Sequence, residues 1–205
     1  MLPAGGVPFA GDFVVSAVTG DRFEVSVVDV SGKGVEAGTR ALLLSGALGG
    51  LLGGGDPARF MAAANTYLLR QDWTEGFATA VHVGVDLRTG DFAVASAGHP
   101  PVAMFDAGTG RWSLLEAAGL VLGLVPDVEY DVVRGRLDRG DALLLYTDGL
   151  VEIPGRDLAV GIDKLVGEAE RSVAQGFRGG ARALVERVAA TSADDRGLVL
   201  LWRDA

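Results

Sequence analysis

The stretch Val-Val-Asp-Val-Ser-Gly-Lys-Gly at residues 27–34 ends a run of β-branched residues with an aspartate and two glycines. The runs at 14–18 and 23–30 are both typical of β-strands, and Thr-Gly-Asp-Arg at 19–22 supplies a turn between them. We therefore predict a β-hairpin whose second strand ends in the aspartate. The glycines that follow break the strand before a helix predicted over residues 35–52.

The rest of the chain groups strands into hairpins and helices into pairs, unlike the alternation of a parallel β-α-β fold. We expect 130–136 and 142–146 to form one antiparallel pair through the turn at 138–141, and Gly53-Gly54-Gly55 to be a loose linker that ends the first helix. This grouping predicts an α+β fold, with antiparallel sheets packed face to face and helices outside, in one domain over residues 1–205. Further strands are predicted over 77–86, 91–97, 102–105, 112–116 and 197–202, and further helices over 57–70, 162–173 and 180–190.

Composition excludes several classes of protein. The 205 residues are 49% hydrophobic and 22% charged, which is enough apolar surface for a core and excludes wholesale disorder. The net charge of -9 argues against a nucleic-acid surface, because phosphate-backbone binding needs clustered lysine and arginine. The lack of cysteine excludes disulfides, thiolate metal sites and cysteine nucleophiles, and suits a cytoplasmic location. No run approaches the roughly 20 apolar residues of a membrane span, so no membrane segment is predicted.

Carboxylates recur beside glycines or at the ends of predicted strands. Hard divalent cations such as Mn²⁺ and Mg²⁺ prefer oxygen ligands, and converging carboxylates repel one another unless a cation lies between them. Two such cations can share a bridging water, lower its pKa and hold a phosphoryl group for in-line attack. The candidate ligands are Asp12, Asp29, Asp148 and the pair Asp194-Asp195.

Each of these aspartates, taken singly, also fits a structural role. Asp148-Gly149 is a common hairpin turn, Gly11-Asp12 a surface turn, and Asp194 a helix cap or loop residue. Asp29 is the strongest candidate, because a charge ends a very apolar run there. Only the joint order of the aspartates along the chain favours a metal site.

Two histidines are the other candidates for chemistry. His82 lies within an apolar strand, which predicts a packed side chain. His99, in Ser-Ala-Gly-His-Pro-Pro, follows a strand, and we favour a structural hydrogen-bonding role for it because no partner lies nearby in the sequence. The chain contains neither the complete phosphate-loop pattern nor the Gly-x-Ser-x-Gly elbow of serine hydrolases.

The ordered motifs resemble the bacterial SpoIIE-type serine/threonine phosphatases, a branch of the metal-dependent type 2C protein phosphatases. The resemblance spans nearly the whole chain. No single motif is specific, but the six motifs in this order are. The motifs are Ala-Gly-Asp-Phe at 10–13, Val-Val-Asp-Val-Ser-Gly-Lys-Gly at 27–34, Phe-Ala-Thr-Ala at 77–80, Ala-Gly-His-Pro-Pro at 97–101, Gly-Asp-Ala-Leu-Leu-Leu-Tyr-Thr-Asp-Gly-Leu-Val-Glu at 140–152 and Asp-Asp-Arg-Gly-Leu-Val-Leu-Leu at 194–201.

The resemblance implies a four-layer α-β-β-α sandwich with two Mn²⁺ or Mg²⁺ ions in a cleft at the sheet edges. It implies that Asp12 and Asp29 hold metal together with the Val30 carbonyl, and that Asp148 and Asp194 hold metal on the other side. We prefer Asp194 to Asp195 as the ligand. The implied reaction is direct attack of a metal-bridging water on phosphoserine or phosphothreonine, with an anti-anti-sigma-type regulatory protein as the substrate.

The chain departs from the family pattern near its start. Where many relatives follow Gly-Asp-aromatic with a second aromatic and another aspartate, this chain has Val14 and Val15. The abrupt start also leaves two alternatives, a minimal gene product or a domain trimmed from a larger protein. These departures motivate a second hypothesis, a phosphatase-like binding module that sequesters a regulatory partner without turnover. Neither the oligomeric state nor the regulatory signal follows from the sequence.

Overall fold

The computed structural model describes residues 11–32, 34–71, 73, 76–173, 176–188 and 195–204. The described part of the chain contains nine strands and four α-helices, close to the predicted bounds. The strands are β1 (Phe13–Thr19), β2 (Arg22–Val30), β3 (Ala78–Asp86), β4 (Asp91–Ala97), β5 (Val102–Asp106), β6 (Arg111–Leu115), β7 (Val132–Arg136), β8 (Ala142–Tyr146) and β9 (Leu198–Trp202). The helices are α1 (Gly34–Leu51), α2 (Pro57–Leu69), α3 (Leu158–Val173) and α4 (Gly180–Val188).

Two antiparallel sheets form the centre of the molecule. The five-stranded sheet has the order β1-β2-β3-β4-β7, and the four-stranded sheet has the order β6-β5-β8-β9. Helices α1 and α2 pack on the outer face of the first sheet, and α3 and α4 on the outer face of the second. The predicted α-β-β-α sandwich is therefore confirmed.

The two-residue periodicity of β2 explains why it has a helix on one side and a sheet on the other. Val28 and Val30 belong to the apolar cluster under α1 and α2, whereas Val25 and Val27 belong to the cluster between the sheets. Successive side chains of a strand point to opposite faces, so a strand buried on both faces is apolar throughout. The same periodicity places the odd-numbered positions of β2 on the inter-sheet face.

The predicted pairing of 130–136 with 142–146 is wrong. β7 pairs with β4 in the five-stranded sheet, whereas β8 pairs with β5 and β9 in the four-stranded sheet. The chain therefore crosses from one sheet to the other through residues 137–141 instead of reversing within a hairpin. Arg203 holds this crossing, because its Nη1 donates to the Leu137 carbonyl at 2.8 Å and to the Thr89 carbonyl at 2.7 Å.

The three glycines after α1 end that helix as predicted, but they are not a loose linker. The buried Glu24 carboxylate accepts hydrogen bonds from the backbone N–H groups of Gly53 and Gly55, the latter at 3.0 Å. Arg22 donates to the same carboxylate and to the Gly55 carbonyl. An ionised buried carboxylate needs such donors, and here they fix the α1–α2 connection to β2.

Candidate metal centre at the edge of the two sheets

Strand register places Asp12 and Asp29 side by side. Phe13 lies opposite Val28 in the β1–β2 pair, so Asp12, one residue earlier, lies beside Asp29. Because Phe13 and Val28 face the helices, alternation turns both aspartates towards the space between the sheets. Thr79 lies opposite Asp29 in the β2–β3 pair and shares that face.

The four-stranded sheet presents its own polar groups at the same edge. Thr147 directly follows β8, and a short 3₁₀ helix begins with Asp148. The Thr147 N–H donates to the Gly197 carbonyl at 3.0 Å, and the Gly197 N–H donates to Thr147 Oγ1 at 2.8 Å. These two bonds extend the β8–β9 ladder by one step and fix Thr147 and Asp148 at the strand end.

A direct hydrogen bond joins the two sheets at this edge. The N–H of Gly11, before β1, donates to Oδ2 of Asp195, before β9, at 2.6 Å. Asp195 also contributes to the electrostatic environment of Asp12. The beginnings of the first and last strands therefore meet at the polar edge.

Asp12 is in an environment that opposes its negative charge. Its side chain is buried, and its Oδ2 atom has no hydrogen-bond partner. Burial is the main factor that raises the pKa of Asp12 to about 8, followed by the nearby charge of Asp29, while a hydrogen bond with Thr147 opposes the rise. A buried carboxylate oxygen without a donor, beside a second carboxylate, suits a bound cation.

Gly11 leaves room for the Val30 carbonyl. A Cβ atom at position 11 would lie 3.1 Å from the Val30 carbonyl oxygen and 3.8 Å from Asp195 Oδ2. Only glycine fits here without displacing that carbonyl. The Gly-Asp motif therefore has a steric reason, since its glycine allows the Val30 carbonyl to approach closely.

His99 has the structural hydrogen-bonding role that the sequence favours. It is buried, with Nε2 3.0 Å from the Tyr146 carbonyl and Nδ1 2.8 Å from Thr79 Oγ1. Because a carbonyl only accepts, Nε2 carries the proton and Nδ1 accepts from the threonine hydroxyl. Burial lowers the pKa of His99 to about 4, so the ring is neutral at physiological pH. His82 is packed as predicted, stacked on Phe60 at 4.0 Å between ring centroids.

A groove of about 420 Å³, here called the Asp148 groove, opens beside this edge. His99 and Thr79 line it near Asp148, and Pro100 and Pro101 form part of its wall. It is large enough for a short peptide segment or a small ligand. The groove thus gives access to Asp148, beyond the end of β8.

The structure brings Asp12 and Asp29 together at the polar edge, with the Val30 carbonyl against Gly11 and Asp148 at the end of β8. Asp194 lies outside the described residues, so its place in the ligand set stays a prediction. Within the described ranges, no three histidine, aspartate or glutamate side chains form a metal site by themselves. The proposed set also draws on a backbone carbonyl and on Asp194.

Sequence reasoning missed Thr147. Its fully buried hydroxyl contacts Asp12 and accepts from the Gly197 N–H. A threonine directly before the strand-end aspartate was the only available signal, and its role depends on a distant strand. Val15, where relatives carry a further acid, packs against the apolar cluster under α1 and α2, on the face of β1 opposite to Asp12.

Comparison with known proteins defines the class. A model of the family described as Stage II sporulation protein E (SpoIIE) matches residues 19–204. The chain therefore belongs to the SpoIIE family of protein serine/threonine phosphatase domains. Phosphoserine phosphatase RsbU of Bacillus subtilis (strain 168) is 27% identical over 144 residues, which are 70% of this chain and 43% of that protein. The chain thus spans less than half the length of this curated relative.

Solved structures show the same fold. A structure of the RsbU and RsbW domains of a Mycobacterium tuberculosis protein superposes with a TM-score of 0.88 and 27% identity, covering 100% of this chain and 59% of that one. The PP2C domain of SiaA from Pseudomonas aeruginosa gives a TM-score of 0.82 and 23% identity, covering 99% and 85% of the two chains. None of the helices in the described part of the chain is long and apolar enough to span a membrane.

Proposed function

We propose that this chain is a metal-dependent phosphatase that hydrolyses phosphoserine or phosphothreonine in a regulatory protein. The observation that supports it most is the pair Asp12 and Asp29 on the inter-sheet face of one sheet. They lie at the edge where Asp195, just before β9 of the other sheet, accepts from the Gly11 N–H. Membership of the SpoIIE family supports the reaction class. The unpartnered Asp12 Oδ2 supports a cation at this position.

The proposed ligands divide between the two sheets. Asp12, Asp29 and the Val30 carbonyl would hold one Mn²⁺ or Mg²⁺ ion, and Asp148 and Asp194 the other. Oxygen donors of this kind match the preference of both metals. When bound, the two ions would act as Lewis acids that activate water and offset phosphoryl charge.

The chain's own residues position and support these ligands. Thr147 orients Asp12, and Gly11 leaves the Val30 carbonyl accessible. His99, neutral and held by two hydrogen bonds, fixes Thr79 beside Asp29 and is not proposed as an acid. The buried valines of β2 below Asp29 keep water from the inter-sheet side of the site.

The substrate is proposed from the relatives. RsbU is named a phosphoserine phosphatase, and the resemblance to the SpoIIE-type phosphatases implies an anti-anti-sigma-type substrate. A phosphorylated anti-anti-sigma-type protein is therefore the proposed substrate here, in the cytoplasm. A net charge of -9 disfavours nucleic acid as a partner.

Phosphate release by the purified chain tests the proposal. With Mn²⁺, the wild type should hydrolyse p-nitrophenyl phosphate and a phosphoserine protein. Asp29→Asn and Asp148→Asn should each lower kcat by at least about a hundredfold, because neutral amides bind hard cations poorly. Asp138→Asn, an exposed aspartate at the opposite end of β8, is the matched control and should retain wild-type rates. Wild-type rates in both site variants would contradict the metal roles.

A non-catalytic binding module is the second candidate, favoured by the apolar Val15 where relatives carry an acid. Calorimetric titration with Mn²⁺ separates the two. A phosphatase should bind the ion tightly and lose that binding in Asp29→Asn. A degenerate module should show no tight, aspartate-dependent binding in the wild type.

A further inference from the structure

The lining of the Asp148 groove includes one arginine, Arg156. Among the described residues that line the groove, Arg156 alone carries a positive charge, and Asp148 and Glu152 are its acidic neighbours. Leu158 and Pro101 provide apolar surface in the same lining. The groove lining thus combines two carboxylates, apolar surface and a single cation.

The backbone holds Arg156 in a fixed relation to Asp148. The N–H groups of Val151 and Glu152 both donate to the Asp148 carbonyl, at 2.8 and 2.6 Å. The next turn, Ile153-Pro154-Gly155-Arg156, closes with a 3.0 Å bond from the Arg156 N–H to the Ile153 carbonyl. The glycine at its third position, with φ of 74°, supplies the positive φ that a type II turn requires, and proline is common at the second position.

The segment is fixed on its other side as well. Asp157 Oδ1 accepts from the Ala159 N–H at 2.9 Å, which caps the beginning of α3. Arg156 therefore lies between a helix cap and a closed turn. Its backbone is preorganised although its side chain is exposed.

The Arg156 guanidinium makes no polar contact with the residues that the structure describes. No hydrogen bond or ion pair of the described residues engages its side chain, although Glu152 lines the same groove. A guanidinium presents several donors in a plane and binds carboxylate or phosphate oxygens in pairs. Asp148 and Glu152 would repel an anionic ligand, so the Arg156 guanidinium is the group in this lining that can bind an oxyanion.

We propose that Arg156 is a specificity-determining residue that binds an oxyanion of the phosphorylated substrate segment lying in the Asp148 groove. This inference rests on the proposed phosphatase function and adds to it the residue that selects the substrate. The oxyanion is supplied either by the phosphoryl group itself or by a carboxylate flanking the phosphorylated residue. Both sources, a planar carboxylate or a tetrahedral phosphoryl group, present a pair of anionic oxygens to the guanidinium.

Steady-state kinetics with three substrates tests Arg156 and identifies the oxyanion. The substrates are p-nitrophenyl phosphate, a phosphoserine peptide with neutral flanking residues, and a phosphoserine peptide with aspartates on both sides. Arg156→Ala should raise KM about tenfold for the acidic-flank peptide, the size expected for losing one charge-assisted contact, with kcat within about threefold. Arg156→Lys should restore part of the affinity, because it keeps the charge and loses the paired donors.

The control is Arg139→Ala. Arg139 is an exposed arginine in the turn before β8, at the end of that strand opposite to Asp148, so both variants carry the same net charge. A rise in KM for all three substrates identifies the phosphoryl group as the oxyanion. A rise confined to the acidic-flank peptide identifies the flanking carboxylate. Equal KM values in Arg156→Ala and Arg139→Ala for every substrate would overturn the inference.

A binding measurement keeps this inference separate from the phosphatase proposal. The same acidic-flank peptide with a non-hydrolysable phosphonate in place of phosphoserine is labelled, and its Kd is measured by fluorescence anisotropy. If the wild type releases no phosphate, the proposed function fails, yet about tenfold weaker binding by Arg156→Ala than by Arg139→Ala still supports the role of Arg156. Equal Kd values would refute it whatever the activity.

Discussion

The N–H of Gly11 donates to Oδ2 of Asp195 at 2.6 Å and joins the beginning of β1 to the beginning of β9. The two residues are 184 positions apart in the chain, and each precedes a strand of a different sheet. This hydrogen bond ties the beginnings of two strands from different sheets to each other. The candidate metal centre is therefore built across the sandwich, from both sheets.

The raised pKa of Asp12 predicts that Mn²⁺ binding releases a proton. With the pKa of Asp12 at about 8, the carboxyl is mostly protonated at pH 6.5 without metal, and a cation must displace that proton. Calorimetry in buffers of different ionisation enthalpy should detect about one proton released per protein at pH 6.5, and Mn²⁺ affinity should rise about tenfold per pH unit below pH 8.

The same titration at pH 9 is the control for this proton. Asp12 is then ionised before metal binds, so proton release should fall towards zero and the affinity should level off. Equal proton release at both pH values, or none at pH 6.5, would contradict a role for Asp12 as a ligand.

Removal of the Thr147 hydroxyl is expected to destabilise the polar edge. Thr147→Val keeps the volume but leaves the buried Gly197 N–H without its acceptor, which costs about 1–3 kcal/mol of unfolding free energy. Thr147→Ser keeps the hydroxyl and should lose less unfolding free energy than Thr147→Val. Urea unfolding without metal measures both variants, and equal losses would show that the hydroxyl is unimportant.

Adding a methyl group at Gly11 should weaken metal binding. In Gly11→Ala the new Cβ would lie 3.1 Å from the Val30 carbonyl oxygen and displace that proposed ligand, with an expected loss in Mn²⁺ affinity on the order of tenfold. Gly46→Ala, in α1 with no atom near its new methyl group, is the control and should gain up to about 1 kcal/mol of stability. Wild-type Mn²⁺ affinity in Gly11→Ala would contradict this account of the glycine.

His82 should make the stability of the protein depend on pH. Burial is the main cause that lowers its pKa from 6.5 to about 4, so its stabilising contribution is complete above pH 6.5 and is lost as pH falls towards 4. Between pH 7 and pH 5, wild type should lose about 2 kcal/mol more unfolding free energy than His82→Gln, which cannot be protonated. His99 titrates in both proteins, so parallel pH profiles would show that His82 does not contribute.

Local sequence patterns predicted most of the fold. Alternating β-branched residues indicated the hairpin of β1 and β2. The helix predicted over 57–70 begins as expected at Pro57, where Asp56 Oδ1 accepts the Ala58 N–H. The separation of β7 from β8 could not be predicted, because a turn between two apolar strands looks the same whether they pair or diverge. The Arg203 hydrogen bonds that hold the crossing come from 66 residues beyond Leu137.

The site was predictable to the extent that its residues end apolar strands. Asp29 was identified because a charge there ends a buried run, and Asp148 because it precedes a glycine just after a strand. Thr147 and Arg156 were not, because the first acts through Gly197 on another strand and the second through the shape of a groove. Side chains whose role depends on distant partners leave no local signal.

A crystal structure of the protein crystallised with Mn²⁺, with anomalous differences measured at the manganese absorption edge, tests the proposed metal centre most directly. We expect two strong anomalous peaks at the edge where the sheets meet. One should be ligated by Asp12, Asp29 and the Val30 carbonyl, and the other by Asp148 together with Asp194. Ligation by Asp195 in place of Asp194 would correct that one assignment. Absence of any peak within reach of Asp12 and Asp29 at saturating Mn²⁺ would contradict the metal centre.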